Sequence, residues 1–269
     1  MSDANHGFDS SAVHPARRYN YWLGGKDHFA ADRASGDRIA RAYPQVVADA
    51  RANRAWMRRV VQTLAGEYGV RQFIDVGVGL PAEPNVHEIA QAVDPSARVV
   101  YVDNDPLVMV HARALLRGTR QGATTYAEID MRDSDAIQAA AKEVLDFAEP
   151  IAALYCAVLH FVPDDQQAYD LVTRTVDWLP AGSFLAASNG TLDGLNPWRR
   201  WKLQRLLRKS PQEGPIRLRS RSEFSQFFAG LRLVEPGVQL ITDWRPDPTG
   251  PATRRSTAAL FGAVARKAG

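Results

Sequence analysis

The sequence predicts an α/β fold: a doubly wound, mostly parallel sheet of seven strands, closed by an antiparallel C-terminal hairpin and preceded by N-terminal helices. Three observations point to it. From Arg71 onward, short apolar runs rich in strand-forming residues alternate with helical stretches, the pattern of parallel strands covered on both faces. Before Arg71 the chain is rich in Ala and Arg, with apolar residues at helical spacing. Near the C-terminus, LRLVEPGVQLITDW and STAALFGAVAR are strand-like runs joined only by the turn-rich WRPDPTGPATR. That connection has no room for a crossover helix, so the two runs pair antiparallel.

Residues 1–15 are small, polar and aperiodic, and read as a flexible tail. Residues 16–68 read as a helical cover. Its first part, ARRYNYWLGGKDHF, gathers Tyr19, Tyr21, Trp22, His28 and Phe29 around Gly24-Gly25. Ala30 to Tyr68 reads as two or three helices broken at Tyr43-Pro44, with Trp56, Val60, Val61 and Leu64 on one face. Residues 69–269 form the sheet domain. Its predicted strands are 72–77, 98–103, 124–130, 151–159 and 183–189, and the helices between them lie near 85–93, 106–117, 133–147 and 164–178. The two terminal runs complete seven strands.

Composition narrows the function. The chain has 269 residues, 45% of them hydrophobic, enough for a substantial core. Its 33 Lys+Arg against 30 Asp+Glu give +3, too balanced for a surface given over wholly to nucleic acid or membrane. One cysteine excludes an intramolecular disulfide framework and a clustered thiolate metal site. With no membrane-length apolar run and no signal-peptide core at the start, a cytoplasmic protein is expected.

Asp75-Val76-Gly77-Val78-Gly79-Leu80-Pro81 stands at the end of the first strand and before a helix. Glycines there allow a tight turn and close backbone approach to a ligand. Alone, the motif also fits an ordinary turn. The second strand ends Val102-Asp103-Asn104-Asp105-Pro106, which brings Asp103 to the same sheet edge, where it can accept both hydroxyls of a ribose. Asp105, before Pro106, suits the helix cap. The third strand ends Ile129-Asp130-Met131-Arg132, adding a carboxylate able to accept an adenine amine.

NAD and S-adenosylmethionine both use such a crevice. A pyrophosphate needs a free helix N-terminus, whereas Leu80-Pro81-Ala82-Glu83 places an acid there. S-adenosylmethionine carries no phosphate, and the antiparallel C-terminal pair suits the methyltransferase sheet.

The segments RRYNYWLGGKDHF, ANRAWMRRVV, RQFIDVGVGLPAEPNVHEIAQ, ARVVYVDNDPLVMVHARALL and AVLHFVPD resemble the actinobacterial S-adenosylmethionine-dependent methyltransferase family once catalogued as a domain of unknown function. The match runs from about residue 15 to the C-terminus. The resemblance implies a class I, Rossmann-like methyltransferase that binds S-adenosyl-L-methionine. It places the methionine part against Gly77, Val78, Gly79 and Leu80, the ribose on Asp103, and the adenine near Asn104, Asp130 and Met131. Arg17-Arg18-Tyr19 matches the family's Arg-x-Tyr, while Asn20 and His28 depart from it. Two readings stand for residues 17–29: a lid that brings Arg17 and Tyr19 to the cofactor's carboxylate, or a helix whose aromatics pack on the sheet.

The fourth strand runs into Leu159-His160-Phe161, where the methyl group should emerge. His160 is a candidate catalytic base near neutral pH or a local brace for its loop. Cys156 reads as core, and His6, His14, His87 and His111 show no metal-ligand spacing; no metal is expected.

Residues 198–221 hold nine Lys/Arg and one Glu. Trp198, Trp201, Leu206 and Leu207 are expected to form a buried stripe with the arginines outward, and Ser220 to Glu223 a capping box. Three readings of the charge compete: a solvated helix face, a site for an anionic small-molecule acceptor, or a contact with RNA or another phosphate surface. The function expected is methyl transfer to an oxygen or nitrogen nucleophile, probed against two alternatives: a non-catalytic module sensing S-adenosylmethionine or S-adenosylhomocysteine, and a nucleotide-linked oxidoreductase.

Overall fold

A computed structural model describes residues 9–115, 118–209, 216–247 and 259–269. It opens with α1 (Pro15–Leu23), α2 (Ala30–Ala42) and α3 (Val46–Gly66). The sheet then alternates with helices: β1 (Gln72–Val76), α4 (Val86–Val93), β2 (Arg98–Asp103), α5 (Pro106–Leu115), β3 (Ala123–Glu128) and α6 (Ser134–Lys142). β4 (Ala152–Cys156), α7 (Asp165–Trp178), β5 (Phe184–Gly190), α8 (Pro197–Lys209) and α9 (Arg221–Ser225) follow, then β6 (Arg232–Leu233), β7 (Gln239–Leu240) and β8 (Leu260–Arg266). The sheet order is β3-β2-β1-β4-β5-β8-β6, with β7 also on β8. β1 to β5 run parallel and β8 returns antiparallel beside β5. This is the Rossmann-like α/β fold the sequence predicts.

The central strands are buried on both faces because successive side chains serve two cores. Phe73, Val99, Leu154, Ala186 and Val264 pack with Trp56, Val60, Leu64 and Ile89 of α3 and α4. Their neighbours Ile74, Val100, Tyr155, Leu185 and Ala263 face Ile137 and Ala141 of α6, Leu171 and Val172 of α7, and Phe224.

Several expectations are refined. The first run of the predicted hairpin is split: Leu233 pairs with Ala265 and Gln239 with Gly262. Five residues, 234–238, lie between those pairs on one strand, against two on β8. Gly237, at φ +77°, turns the chain there and interrupts the ladder. The fourth strand ends at Cys156 rather than 159. Ala157 takes φ +56°, and its N–H donates to Oγ and O of Ser188, so the chain leaves the sheet into a 3-10 turn, Leu159–Phe161.

Helix α8 forms with the opposite tryptophan orientation to that expected. Its inward residues are Leu203 and Leu207, in a cluster with Tyr43, Leu192, Leu195 and Ala259, while Trp198 and Trp201 are 64% and 50% exposed. The helix has two apolar stripes about half a turn apart, and the leucine stripe meets the body of the protein. Nor do all the arginines of 198–221 face outward, since Arg219 is fully buried. The Ser220/Glu223 capping box is present. Residues 1–8 of the expected tail, Arg117, residues 210–215 of the basic segment and 248–254 of the final connection lie outside the described residues.

Candidate functional site

The C-terminal ends of β1 to β5 meet at one sheet edge, beneath α1. At the end of β1, Gly77 and Gly79 adopt φ +73° and +66°, which glycine enters without steric cost. The amides of Gly77 and Val78 donate to the Val102 carbonyl at 2.8 and 3.2 Å, tying the loop to β2. An added Cβ on Gly77 would strike Val158, whereas at Gly79 it would meet only Ala16 Cβ, at 3.8 Å. The loop is thus braced from below and roomy at Gly79. Leu80 turns inward, onto Val108 and Met109 of α5 and Ala16 of α1.

Asp103 is the centre of the site. Its Oδ2 accepts from Gly79 N at 2.8 Å and its Oδ1 from Asp105 N at 3.0 Å. Each oxygen keeps lone-pair capacity for a further donor, which fits the adjacent hydroxyls of a ribose. Burial raises its pKa, against the two amide hydrogen bonds that favour the charged form. Asp105 caps α5 by accepting from Leu107 N at 2.9 Å. Burial opposes its ionisation, yet His14 and the Leu107 amide hold its pKa below the ordinary value.

Asp75, at the end of β1, is buried beside this pair and its carboxyl is pushed up to about 7. Burial is the main cause; Arg54 opposes it and Asp103 adds to it. Arg54 is anchored through Nη2 to the carbonyls of Ala82 and Pro84. Neither Asp75 nor Arg54 stood out as a site residue in the sequence. A charged residue beneath a glycine loop was the available signal for Asp75; nothing marked Arg54 on its helix.

The adenine candidates lie at the next strand end. Asp130 is bound by Arg132 through Nε at 2.8 Å and Nη2 at 2.5 Å. Hydrogen bonding to Arg132 holds its carboxyl below the usual range despite partial burial, with a smaller contribution from Asn104. Asn104 is exposed and Met131 half-buried on the same rim.

Helix α1 covers this edge. His14, which the sequence placed in the tail, caps α1 and puts Nδ1 3.0 Å from Oδ2 of Asp105. The missed signal was His14-Pro15, since proline favours the first helical position. Arg17 donates to the carbonyls of Asp9 (3.2 Å) and Ala12 (2.9 Å), with Nε 3.7 Å from Asp32. Tyr19 donates to the Ala50 carbonyl at 2.8 Å and accepts from Asn53 at 3.2 Å. Burial pushes the Tyr19 hydroxyl up to about 12. Both side chains therefore hold α1 to its surroundings.

From Asn53 a buried chain of hydrogen bonds continues to the strand ends. Ser188 Oγ donates to Asn53 Oδ1 at 2.6 Å and accepts from Ala157 N at 2.9 Å. Beyond Ala157 stands His160, whose Nδ1 is buried without a hydrogen-bond partner. Its pKa is pushed down to about 3, by burial first and then by Arg18 and Arg219, so the imidazole is neutral at physiological pH. Arg219 reaches the same turn, donating to the carbonyls of Leu159 and Val162 and to Asn189 Oδ1, with Asp165 as its ion pair. Burial raises the Cys156 thiol well above its ordinary pKa, in keeping with a core role. Among the described residues no group of three His, Cys, Asp or Glu side chains could hold a metal ion.

The donors fit a ligand without phosphate. The N-terminus of α4, where a pyrophosphate would sit, is filled by a capping box in which Glu88 accepts from the backbone N–H of Asn85. A second anion there would meet the Glu88 carboxylate.

A family model described as S-adenosyl methyltransferase matches residues 1–268. A DUF574 family protein from Streptomyces avermitilis MA-4680 has a similar crystal structure, with TM-score 0.90 and 44% identity over 96% of this chain and 99% of that one. A Thermobifida fusca YX protein, provisionally named a methyltransferase, gives TM-score 0.87 and 36% identity with both chains covered completely. A methyltransferase from Methanosarcina mazei shares only the fold, at TM-score 0.50 and 13% identity over 76% of this chain and 97% of that one. No curated protein matches the chain.

Proposed function

Because this chain belongs to the S-adenosyl methyltransferase family and is an S-adenosylmethionine-dependent methyltransferase, we propose that it methylates a small-molecule oxygen or nitrogen nucleophile received over the ends of β4 and β5. The observation that carries the placement is the Asp103 carboxylate, oriented by Gly79 N and Asp105 N at the mouth of the glycine loop. When bound, S-adenosylmethionine supplies an electrophilic methyl on a sulfonium.

In this reading the chain's work is positioning. Asp103 accepts from the ribose hydroxyls, and the Gly77 to Leu80 backbone lies along the methionine part. Asn104, Asp130 and Met131 line the adenine side, with the Asp130 carboxylate held in place by its Arg132 bonds. Arg17 and Tyr19 act by seating α1 over the loop, the first through the carbonyls of Asp9 and Ala12 and the second through α3. That cover excludes water and holds the nucleophile in line, the larger part of what such a displacement needs.

His160 serves as a hydrogen-bond partner for the acceptor in its neutral form. A group held near 3 is a poor proton acceptor at pH 7, so the acceptor arrives as a competent nucleophile or loses its proton to water.

Calorimetry with S-adenosylmethionine, S-adenosylhomocysteine and NAD tests the placement. Asp103→Asn, which keeps the shape but loses a charged acceptor, is expected to weaken S-adenosylmethionine about 10- to 100-fold. An unchanged dissociation constant, or NAD binding more tightly than S-adenosylmethionine, overturns it.

A further inference from the structure

Helix α8 carries six Lys/Arg and no acid in thirteen residues, PWRRWKLQRLLRK. Its inner face is used, through Leu203 and Leu207 in the cluster with Tyr43 and through Lys202 Nζ, which donates to the Arg41 carbonyl at the end of α2 at 2.9 Å. The outer face is a different surface. Positions 198, 201, 205 and 208 recur at three- and four-residue spacing and share one side: Trp198, Trp201, Arg205 and Arg208. The two indoles are 64% and 50% exposed, the largest such values among the exposed large hydrophobics of the described residues. Each carries a cation over its ring, Lys202 at 5.1 Å from Trp198 and Arg205 at 5.2 Å from Trp201.

We propose that this outer face of α8 docks the protein on an anionic lipid surface. Charge complementarity selects a polyanion, since nothing acidic on the helix offsets its cations. The arrangement of the rings selects a lipid one. Indoles settle at the headgroup level of a bilayer, and Arg205 and Arg208 on the same side, both exposed, reach the phosphates at the same depth. Single-stranded nucleic acid instead needs open aromatic faces in a groove that tracks the backbone. Here Lys202 and Arg205 occupy the ring faces, so the indoles are not open platforms for bases. The contact is peripheral: among the described residues no helix is long and apolar enough to cross a membrane.

The test is co-sedimentation of the full chain with vesicles of phosphatidylcholine alone and of phosphatidylcholine with phosphatidylglycerol, with tryptophan emission recorded in parallel. Binding to the anionic vesicles is expected to exceed that to neutral ones by about tenfold or more, and to fall steeply with salt. Trp198→Ala with Trp201→Ala is expected to lower it about tenfold and to remove the blue shift in emission. Arg205→Glu with Arg208→Glu should abolish it. All four positions lie outside the cofactor site, so S-adenosylmethionine calorimetry and thermal melts report whether the variants remain folded. The proposal is overturned by equal partitioning to both vesicle types, by binding that survives both double variants in folded protein, or by an RNA oligonucleotide that binds the same face and displaces the vesicles.

Discussion

Replacing Gly77 by alanine separates two demands that the glycine loop makes on one position. The backbone there has φ +73°, which costs an L side chain about 1–2 kcal/mol. The new Cβ would also overlap Cγ2 of Val158 and stand 2.9 Å from its Cβ. That overlap must push aside the turn after β4, adding about 1–3 kcal/mol. Gly77→Ala is therefore expected to destabilise by about 2–5 kcal/mol. Gly79 provides the control, because it shares the left-handed backbone at φ +66° but would meet only Ala16 Cβ at 3.8 Å. Gly79→Ala should lose only the backbone part, about 1–2 kcal/mol. Urea unfolding followed by circular dichroism measures both. A double-mutant cycle with Val158→Ala isolates the overlap: the methyl added at position 77 occupies space that the valine side chain vacates, so the pair should recover about 1–3 kcal/mol relative to the sum of the singles. Equal costs at positions 77 and 79, or a purely additive double variant, would refute the idea that the post-β4 turn rests on the loop.

Three further outcomes follow from the buried polar groups. Asp75, pushed up to about 7, holds a proton in the folded state that the unfolded chain releases, so its contribution to stability declines as pH rises from about 4 to about 7. Asp75→Asn should flatten that decline and be more stable than the parent at pH 8; parallel unfolding curves at pH 5, 6 and 8 that keep a constant gap would contradict this. Ser188→Ala removes the donor to Asn53 Oδ1 and leaves the Ala157 N–H only the Ser188 carbonyl; it should cost about 1–3 kcal/mol, with faster amide exchange at Ala157 as the local readout. Arg219→Met strips Asp165 of one of its two guanidinium partners and takes a donor from the Val162 carbonyl and Asn189 Oδ1, while the Leu159 carbonyl keeps the Val162 amide and Asp165 keeps Arg217; a loss of about 1–3 kcal/mol is expected from denaturant unfolding, and a near-neutral result would mean the turn is held by other contacts.

The strand and helix order, the glycine loop, Asp103 and the Asp105 cap were legible because each has a local cause. Apolar runs make buried strands, glycine permits positive φ, and an acid before proline caps a helix. What escaped was decided by contacts between distant segments. His14 reads as tail until α1 folds back and brings it to Asp105, and Arg54 is one arginine among several until α3 lies against the Ala82 to Pro84 stretch. His160 reads either as a neutral-pH base or as a brace for its loop, and only burial and two guanidiniums, which push its pKa down to about 3, weigh against the base.

Taken alone, then, the sequence determined the α/β order, the cofactor class and the acids at the sheet edge, since these depend on spacing along the chain and on the chemistry of single residues. Tertiary structure decided which of two apolar stripes on α8 turned inward, which arginines were buried, and how α1 covers the crevice. Those outcomes depend on the partner surface each segment meets, and periodicity fixes the faces of a helix without saying which face finds a neighbour.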